Sequence, residues 1–197
     1  MSPRFPGVPE YAHELALALE ALGEMLDYDG KPEGAVLYGE ALEIKRRLLA
    51  EQPKHPVYLL SQGRSYTLQA VANRNRSDWH RVDIWERRAI EQYQTALRAS
   101  PQDVRAKMYL RSELLLHSRT LLRINRLHEA VRAAIESAEI FPANADDALR
   151  SAVVLGECAV HSVGVDGFEY RQLARTQLNR ALNGGIALEH FGASEAA

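Results

Sequence analysis

Four prolines, Pro9, Pro56, Pro101 and Pro142, punctuate the chain at nearly even spacing, with helix-forming sequence between them. A second regularity is locked to the first. Ala89, Tyr93, Ala96 and Pro101 stand at i, i+4, i+7 and i+12, and Ala130, Ala134, Ser137 and Pro142 repeat that spacing. Gly34, Tyr38 and Ala41 carry the same triplet, as do Ala174, Leu178 and Ala181. Positions i, i+4 and i+7 share one face of a helix. Small residues at its two ends let a neighbouring backbone approach, the larger middle residue fills the gap, and proline ends the helix because it cannot donate the next hydrogen bond. The first half of each unit has its own small residue in an apolar stretch. Gly23, Ala70 and Gly156 stand at i+14 from Pro9, Pro56 and Pro142, and Ser118 at i+17 from Pro101. One helical hairpin cannot bury its apolar face alone, so a period of roughly 40–50 residues predicts a stack of hairpins.

The chain has 197 residues, 46% hydrophobic and 25% charged, which is ordinary for a folded protein. That length buries roughly 70% of the surface the unfolded chain exposes. The single cysteine, Cys158, excludes an internal disulfide and any multi-cysteine zinc site, and is expected to be a small buried hydrophobe. Residues 1–8 read as a proline-punctuated, flexible arm. The Leu/Ala stretch that follows is interrupted by Glu14, Glu20 and Glu24, so neither a signal peptide nor a membrane span is expected, and the expected location is cytoplasmic.

These residues resemble the tetratricopeptide repeat (TPR), which alternates a Leu-x-x-Leu-Gly-x-x-Tyr-like helix A with an Ala-x-x-x-Phe/Tyr-x-x-Ala-x-x-x-x-Pro-like helix B. Leu19, Leu22, Gly23 and Leu26 match helix A of the first unit, and Ala152, Leu155, Gly156 and Ala159 that of the fourth. The resemblance implies an all-α, right-handed α-solenoid of about four helix-turn-helix units, at about 9–55, 56–100, 101–141 and 142–185, followed by a tail at 186–197. HEAT and armadillo repeats share a long period but do not call for the small–aromatic–small–proline pattern. The excess over the usual length of about 34 residues is expected in a long helix B from about Pro32 to Glu51, in the linker from Asn73 to Asp78, and in a Gly-rich joint from Gly164 to Gly167. Asp78 is placed to cap a helix beginning at Trp79.

A narrower resemblance is carried by the Pro-Glu-Tyr-x-x-x-Leu-Ala opening at Pro9, by Ala-Leu-Glu-Ile-Lys-Arg-Arg-Leu-Leu-Ala-Glu-Gln-Pro at 41–53, and by Leu178 to Gly185. They are similar to the repeat tracts that follow the catalytic domain in some bacterial serine/threonine kinases. The chain has no Gly-rich kinase loop, HRD-like triplet or Asp-Phe-Gly. This resemblance therefore implies a regulatory or docking portion.

The chemistry-bearing residues do not assemble into a catalytic motif. His13, His55, His80, His117, His128, His161 and His190 are scattered singly, without an HExxH pair. Gly164 to Gly167 and Gly184-Gly185 lack the spacing of a phosphate loop and read as helix ends. Trp79 and Trp85 fall about 120° apart around a helix, which suits packing better than one stacking platform. The expectation is a non-enzyme without cofactor or metal.

In the TPR family helix A lines a concave groove. Carried over by position, the resemblance implies a peptide-binding set of Arg64, Arg74, Leu115, Arg119, Leu122, Arg123, Arg150 and His161, with Glu20, Glu24, Asp27 and Thr67 also on the groove. Arg119 and Arg123 share a helical face, and with Arg64 and Arg150 they suit bidentate binding of a carboxylate or phosphate. The leading expectation is a protein-interaction scaffold that takes a short peptide segment, acidic if these arginines bind it, or a partner helix. The alternatives are a docking portion of a kinase signalling system and nucleic-acid binding, the less favoured partner. The net charge of -2 is a cancellation: residues 1–43 balance to -7, residues 44–132 to +10 and residues 133–197 to -5. A basic middle between acidic ends is compatible with an acidic ligand there and with homo-oligomerisation.

Overall fold

The structure is a computed structural model that describes residues 8–186. Residues 1–7 of the expected arm and 187–197 of the expected tail lie outside the described residues. Among the described residues eight helices follow in order: α1 (Pro9–Tyr28), α2 (Gly34–Glu51), α3 (Pro56–Asn75), α4 (Trp79–Ala99), α5 (Val104–Arg123), α6 (Leu127–Ile140), α7 (Ala145–His161) and α8 (Gly164–Asn183). No strand occurs among them. The expected all-α, solenoid-type class is the observed one. No described helix is long and apolar enough to cross a membrane.

The punctuation works as local physics requires. Pro9 and Pro56 open α1 and α3, where a missing N–H costs no helical hydrogen bond. Pro101 and Pro142 lie in the turns just beyond α4 and α6. Asp78 caps α4 as expected, accepting a hydrogen bond from the Arg81 amide at 3.2 Å, and Asn144 caps α7 through the Asp147 amide at 3.2 Å. Gly164 to Gly167 form the first turn of α8 rather than a separate joint. The α5–α6 turn passes through Asn125 at φ 60°, a left-handed conformation that asparagine tolerates.

The chain divides into two compact units, the first ending at Glu113 and the second beginning at Leu114, within α5. In the first, α1 pairs with α2 and α3 with α4, and α2 packs on α3. Tyr38 lies against Gly23, where an added Cβ would sit 2.6 Å from the ring, and Gly34 lies as close to the Gly23 carbonyl. Gly63 receives Tyr93 in the same way. The small–aromatic–small triplets of α2 and α4 are buried throughout, as is Ala130, Ala134 and Ser137 of α6. In α8 only Ala181 of the triplet is fully buried.

The second unit holds α7 against both α6 and α8. Val154, Leu155 and Cys158 of α7 are wholly buried with Ala181 of α8. Polar links join α6 to α8: the Tyr170 hydroxyl lies 2.6 Å from His128 Nδ1, Asp166 Oδ2 lies 3.6 Å from His128 Nε2, and Arg180 donates to Glu139 Oε1 at 2.6 Å and to the Ala138 carbonyl at 2.5 Å. Gly156 does not match Gly23 structurally, because nothing lies within 4 Å of a Cβ built there. Its match in the helix A motif is one of sequence, and no neighbouring ring packs on it.

Candidate functional site

The A-type helices of the first unit form a cleft. α1 contributes His13 and Leu17, α3 contributes Val57, Leu60, Ser61 and Arg64, and α5 contributes Arg105 and Tyr109, around a cavity of about 230 Å³. Each helix enters through its own period. His13 and Leu17 are four apart on α1, Val57, Ser61 and Arg64 run down one side of α3, and Arg105 and Tyr109 are four apart on α5. The walls are apolar, from Leu17, Leu60 and Val57, and two guanidinium groups supply the charge.

Packing behind the cleft fixes its aromatic wall. Tyr109 is half-exposed and stacks on Tyr93 at 5.5 Å. Tyr93 is buried, and burial raises the pKa of its phenol far above the ordinary value, so it stays a neutral donor. Its hydroxyl lies 3.1 Å from Thr67 Oγ1, and Thr67 donates to the buried Glu113 carboxylate at 2.8 Å. On the α1 side, His13 packs on the buried Tyr58 at 5.4 Å, and His55 stacks on the same ring at 4.1 Å. Burial first, and then the nearby Lys45 charge, lower the His13 pKa, so the imidazole presented to the cleft is neutral near pH 7.

Arg64 is held in place. Its Nη2 donates to Glu24 Oε1 at 2.7 Å, with both side chains about half exposed. The pair orients the guanidinium and leaves donors for a second anion, because the fork has five N–H groups. Arg105 is open to solvent, with Asp103 4.0 Å from its Nε. The cleft can therefore take an anionic group between two arginines beside an apolar side chain.

Of the residues singled out in the sequence, Arg64 lies in this cleft. Arg74 points elsewhere: its Nη2 binds the buried Glu86 Oε1 at 2.6 Å, linking α3 to α4. Glu20, placed on the groove by its position in the repeat, is buried and bonded to Lys45. Thr67 is half-buried behind the cleft in the Glu113 network. In the second unit Leu115 is buried, Leu122 is half-buried, and Arg119, Arg123, Arg150 and His161 are exposed. Sequence reasoning missed His13, Arg105 and Tyr109. The i, i+4 spacing of Arg105 and Tyr109 puts them on one face of α5 but does not say which face meets α3. A larger, more open recess of about 470 Å³, lined by Gln94, Leu97, Arg98, Pro101 and Lys107, lies at the α4–α5 turn. It has no comparable convergence of helices.

No family model matches the chain. No curated protein matches it. Among solved structures it is similar to one titled "Crystal structure of MamA", at 13% identity and a TM-score of 0.33 over 82% of this chain and 93% of that one. A second, "Crystal structure of MamA protein", matches at 14% identity and a TM-score of 0.34 over 93% and 97% of the two chains. Likeness at that level carries no argument. The TPR-like character of the hairpins rests instead on their own packing, in which Tyr38 of α2 fills the space over Gly23 of α1 and Tyr93 of α4 the space over Gly63 of α3.

Proposed function

We propose that the protein is a non-catalytic, cytoplasmic interaction scaffold whose α1–α3–α5 cleft binds a short peptide carrying a carboxylate next to an apolar side chain. One observation carries this reading: Arg64 and Arg105 both line a cleft whose other walls are Leu17, Val57, Leu60 and Tyr109, with His13 and Ser61. A desolvated carboxylate between two guanidinium forks gains charge-assisted hydrogen bonds, and the apolar walls take the neighbouring side chain. Arg119, Arg123, Arg150 and His161 are exposed, Leu122 is half-buried and Leu115 is buried, and they remain a proposed second contact region.

The test compares capture of an acidic-hydrophobic peptide array by the wild type, by Arg64→Glu/Arg105→Glu and by Arg119→Glu/Arg123→Glu. Loss of capture in the first variant supports the cleft. Unchanged capture there with loss in the second moves the binding surface to the second unit, and unchanged capture in both removes the peptide-binding reading.

The resemblance of residues 41–53 and 178–185 to kinase repeat tracts supports a narrower role as a docking portion of a bacterial serine/threonine kinase system. A kinase gene beside this one is the expected neighbourhood. Nucleic-acid binding through the basic middle has less support, since Lys45, Arg47, Arg74, Arg87 and Arg126 there are bonded to carboxylates of the same chain. It predicts affinity that falls steeply with salt.

A further inference from the structure

Arg105, Tyr109 and Glu113 stand at i, i+4 and i+8 of α5, so they run down one side of the helix. The first two line the cleft, and the third is buried one turn further along. Glu113 is poorly satisfied where it lies. A carboxylate offers about four acceptor sites, yet Thr67 donates to Oε2 at 2.8 Å while Oε1 is buried without a hydrogen-bond partner. The neighbouring cation is already engaged, because Arg74 binds the buried Glu86 at 2.6 Å. Glu113 is thus a third ionisable group beside a pair that is already balanced.

A chain of contacts leads from Glu113 to the cleft. Thr67 Oγ1 lies 3.1 Å from the Tyr93 hydroxyl, and the Tyr93 ring stacks on Tyr109 at 5.5 Å. Tyr93 feels both the Glu113 carboxylate and the Arg64 guanidinium, so the acid behind the cleft and the base within it share a neighbour. Tyr109 acts in turn on Arg64. The charged and titratable groups that act on or border Glu113 are Arg74 of α3, Glu86 and Tyr93 of α4, and His117, buried one turn further along α5.

We infer that Glu113 makes the cleft proton-linked: an anionic ligand binds more tightly when Glu113 carries a proton, and binding itself draws a proton in. The linkage rests on the cleft being a carboxylate site, as proposed above. Its physical basis is repulsion. A ligand carboxylate held by Arg64 and Arg105 lies roughly 10 Å from Glu113, since α5 advances about 6 Å from Tyr109 to Glu113 and about 12 Å from Arg105. Between the limits of bulk water and a protein surface, one unit charge at that range alters anion affinity by about three- to tenfold. Coupling is reciprocal, so the ligand raises the proton affinity of Glu113 by the same factor.

The working range follows from burial, which with the Glu86 charge raises the Glu113 pKa to about 7. Glu113 is largely ionised at pH 8.5 and largely protonated at pH 6, so affinity for an anion should rise as pH falls through that window. His13 also lines the cleft, but burial and then Lys45 lower its pKa from 6.5, so its own gain in charge comes mainly at lower pH.

The experiment is isothermal titration calorimetry of the whole chain with acetyl-Ala-Leu-Asp-Leu-Ala-amide, in two buffers of different ionisation enthalpy, from pH 6 to 8.5. The aspartate, with a pKa of about 3.9, stays ionised throughout. The wild type is expected to bind about three- to tenfold more tightly at pH 6 than at pH 8.5, with about 0.3–0.5 proton taken up per peptide near pH 7. Glu113→Gln should hold the affinity of the wild type at pH 6 across the range, without proton uptake near pH 7. Thr67→Val removes the hydrogen bond that favours the ionised form, so it should move the step to higher pH and keep its size. Circular dichroism at each pH verifies the helical fold, and Thr67→Val decides the matter if Glu113→Gln does not fold. Binding that is flat or strengthens as pH rises, a step retained in Glu113→Gln, or one unmoved in Thr67→Val would each overturn the linkage and leave the cleft standing. No binding at any pH would overturn both.

Discussion

Lys45 Nζ lies 2.5 Å from Glu20 Oε1, and neither side chain reaches solvent. The pair ties α2 to α1. It also reaches α3, because Lys45 donates to the Ser61 carbonyl at 3.1 Å and the Ser65 hydroxyl donates to the same Glu20 oxygen at 2.5 Å. Desolvation lowers the Lys45 pKa, and the Glu20 charge opposes that shift. A buried ion pair is weak evidence for stability but strong evidence for register, since either partner alone is a stranded charge. Lys45→Met should therefore cost about 3–5 kcal/mol in urea unfolding, and Glu20→Leu/Lys45→Met should recover most of that loss. Additive losses in the double variant would contradict the coupling.

Glu113 supplies a pH dependence. Burial, with Glu86 adding to it, raises its pKa from 4.5 to about 7, against the hydrogen bond from Thr67 and the Arg74 charge. Between those values the folded chain binds the proton more tightly than the unfolded chain. Stability on this account is full below about pH 4.5, falls as pH rises, and levels off above about 7. The full shift corresponds to about 3 kcal/mol. Glu113→Gln should flatten the decline between pH 5 and 7 and raise stability at pH 8, measured by denaturant titration at each pH. A wild-type profile that rises over that window would contradict the assignment.

Two glycines should respond in opposite directions to alanine. At Gly23 the new methyl meets the Tyr38 ring at 2.6 Å and the Gly34 carbonyl at 3.1 Å. Overpacking of this kind costs about 1–3 kcal/mol and exceeds the gain in helix propensity. At Gly156 the methyl meets nothing within 4 Å, so Gly156→Ala should gain about 0.5–1 kcal/mol. Thermal melts of the two variants check the sign.

Cys158 reports on the second unit. It is fully buried, and burial pushes its thiol pKa up to about 11. Little thiolate is present at pH 8, so a disulfide reagent should label it only as fast as α7 opens. Labelling should accelerate with denaturant in step with loss of helix. Immediate labelling in buffer would place the thiol at the surface.

Much of the fold was legible because its cues are local. A proline at the first helical position, Asp78 ahead of Trp79, and small residues four and seven apart act within one helix, and the helices began and ended near those marks. The cleft was legible in part. Arg64 was found because it sits on an A-type helix, while Arg74, on the same helix, was drawn to the buried Glu86 of α4. Arg105 and Tyr109 were missed because nothing within α5 distinguishes a residue facing α3 from one facing solvent.

The sequence by itself determined which segments are helices, where they stop, and that they stack as hairpins, because periodicity and capping depend on neighbours within a turn or two. Tertiary structure decided which small residues receive a ring, so that Gly63 packs against Tyr93 while Gly156 faces open space. It also decided that Glu20, an acid expected at the groove, is enclosed with Lys45 from the next helix. Those outcomes depend on residues far apart in the chain, and the free energy of burying a charge or a ring is set by what arrives from that distance.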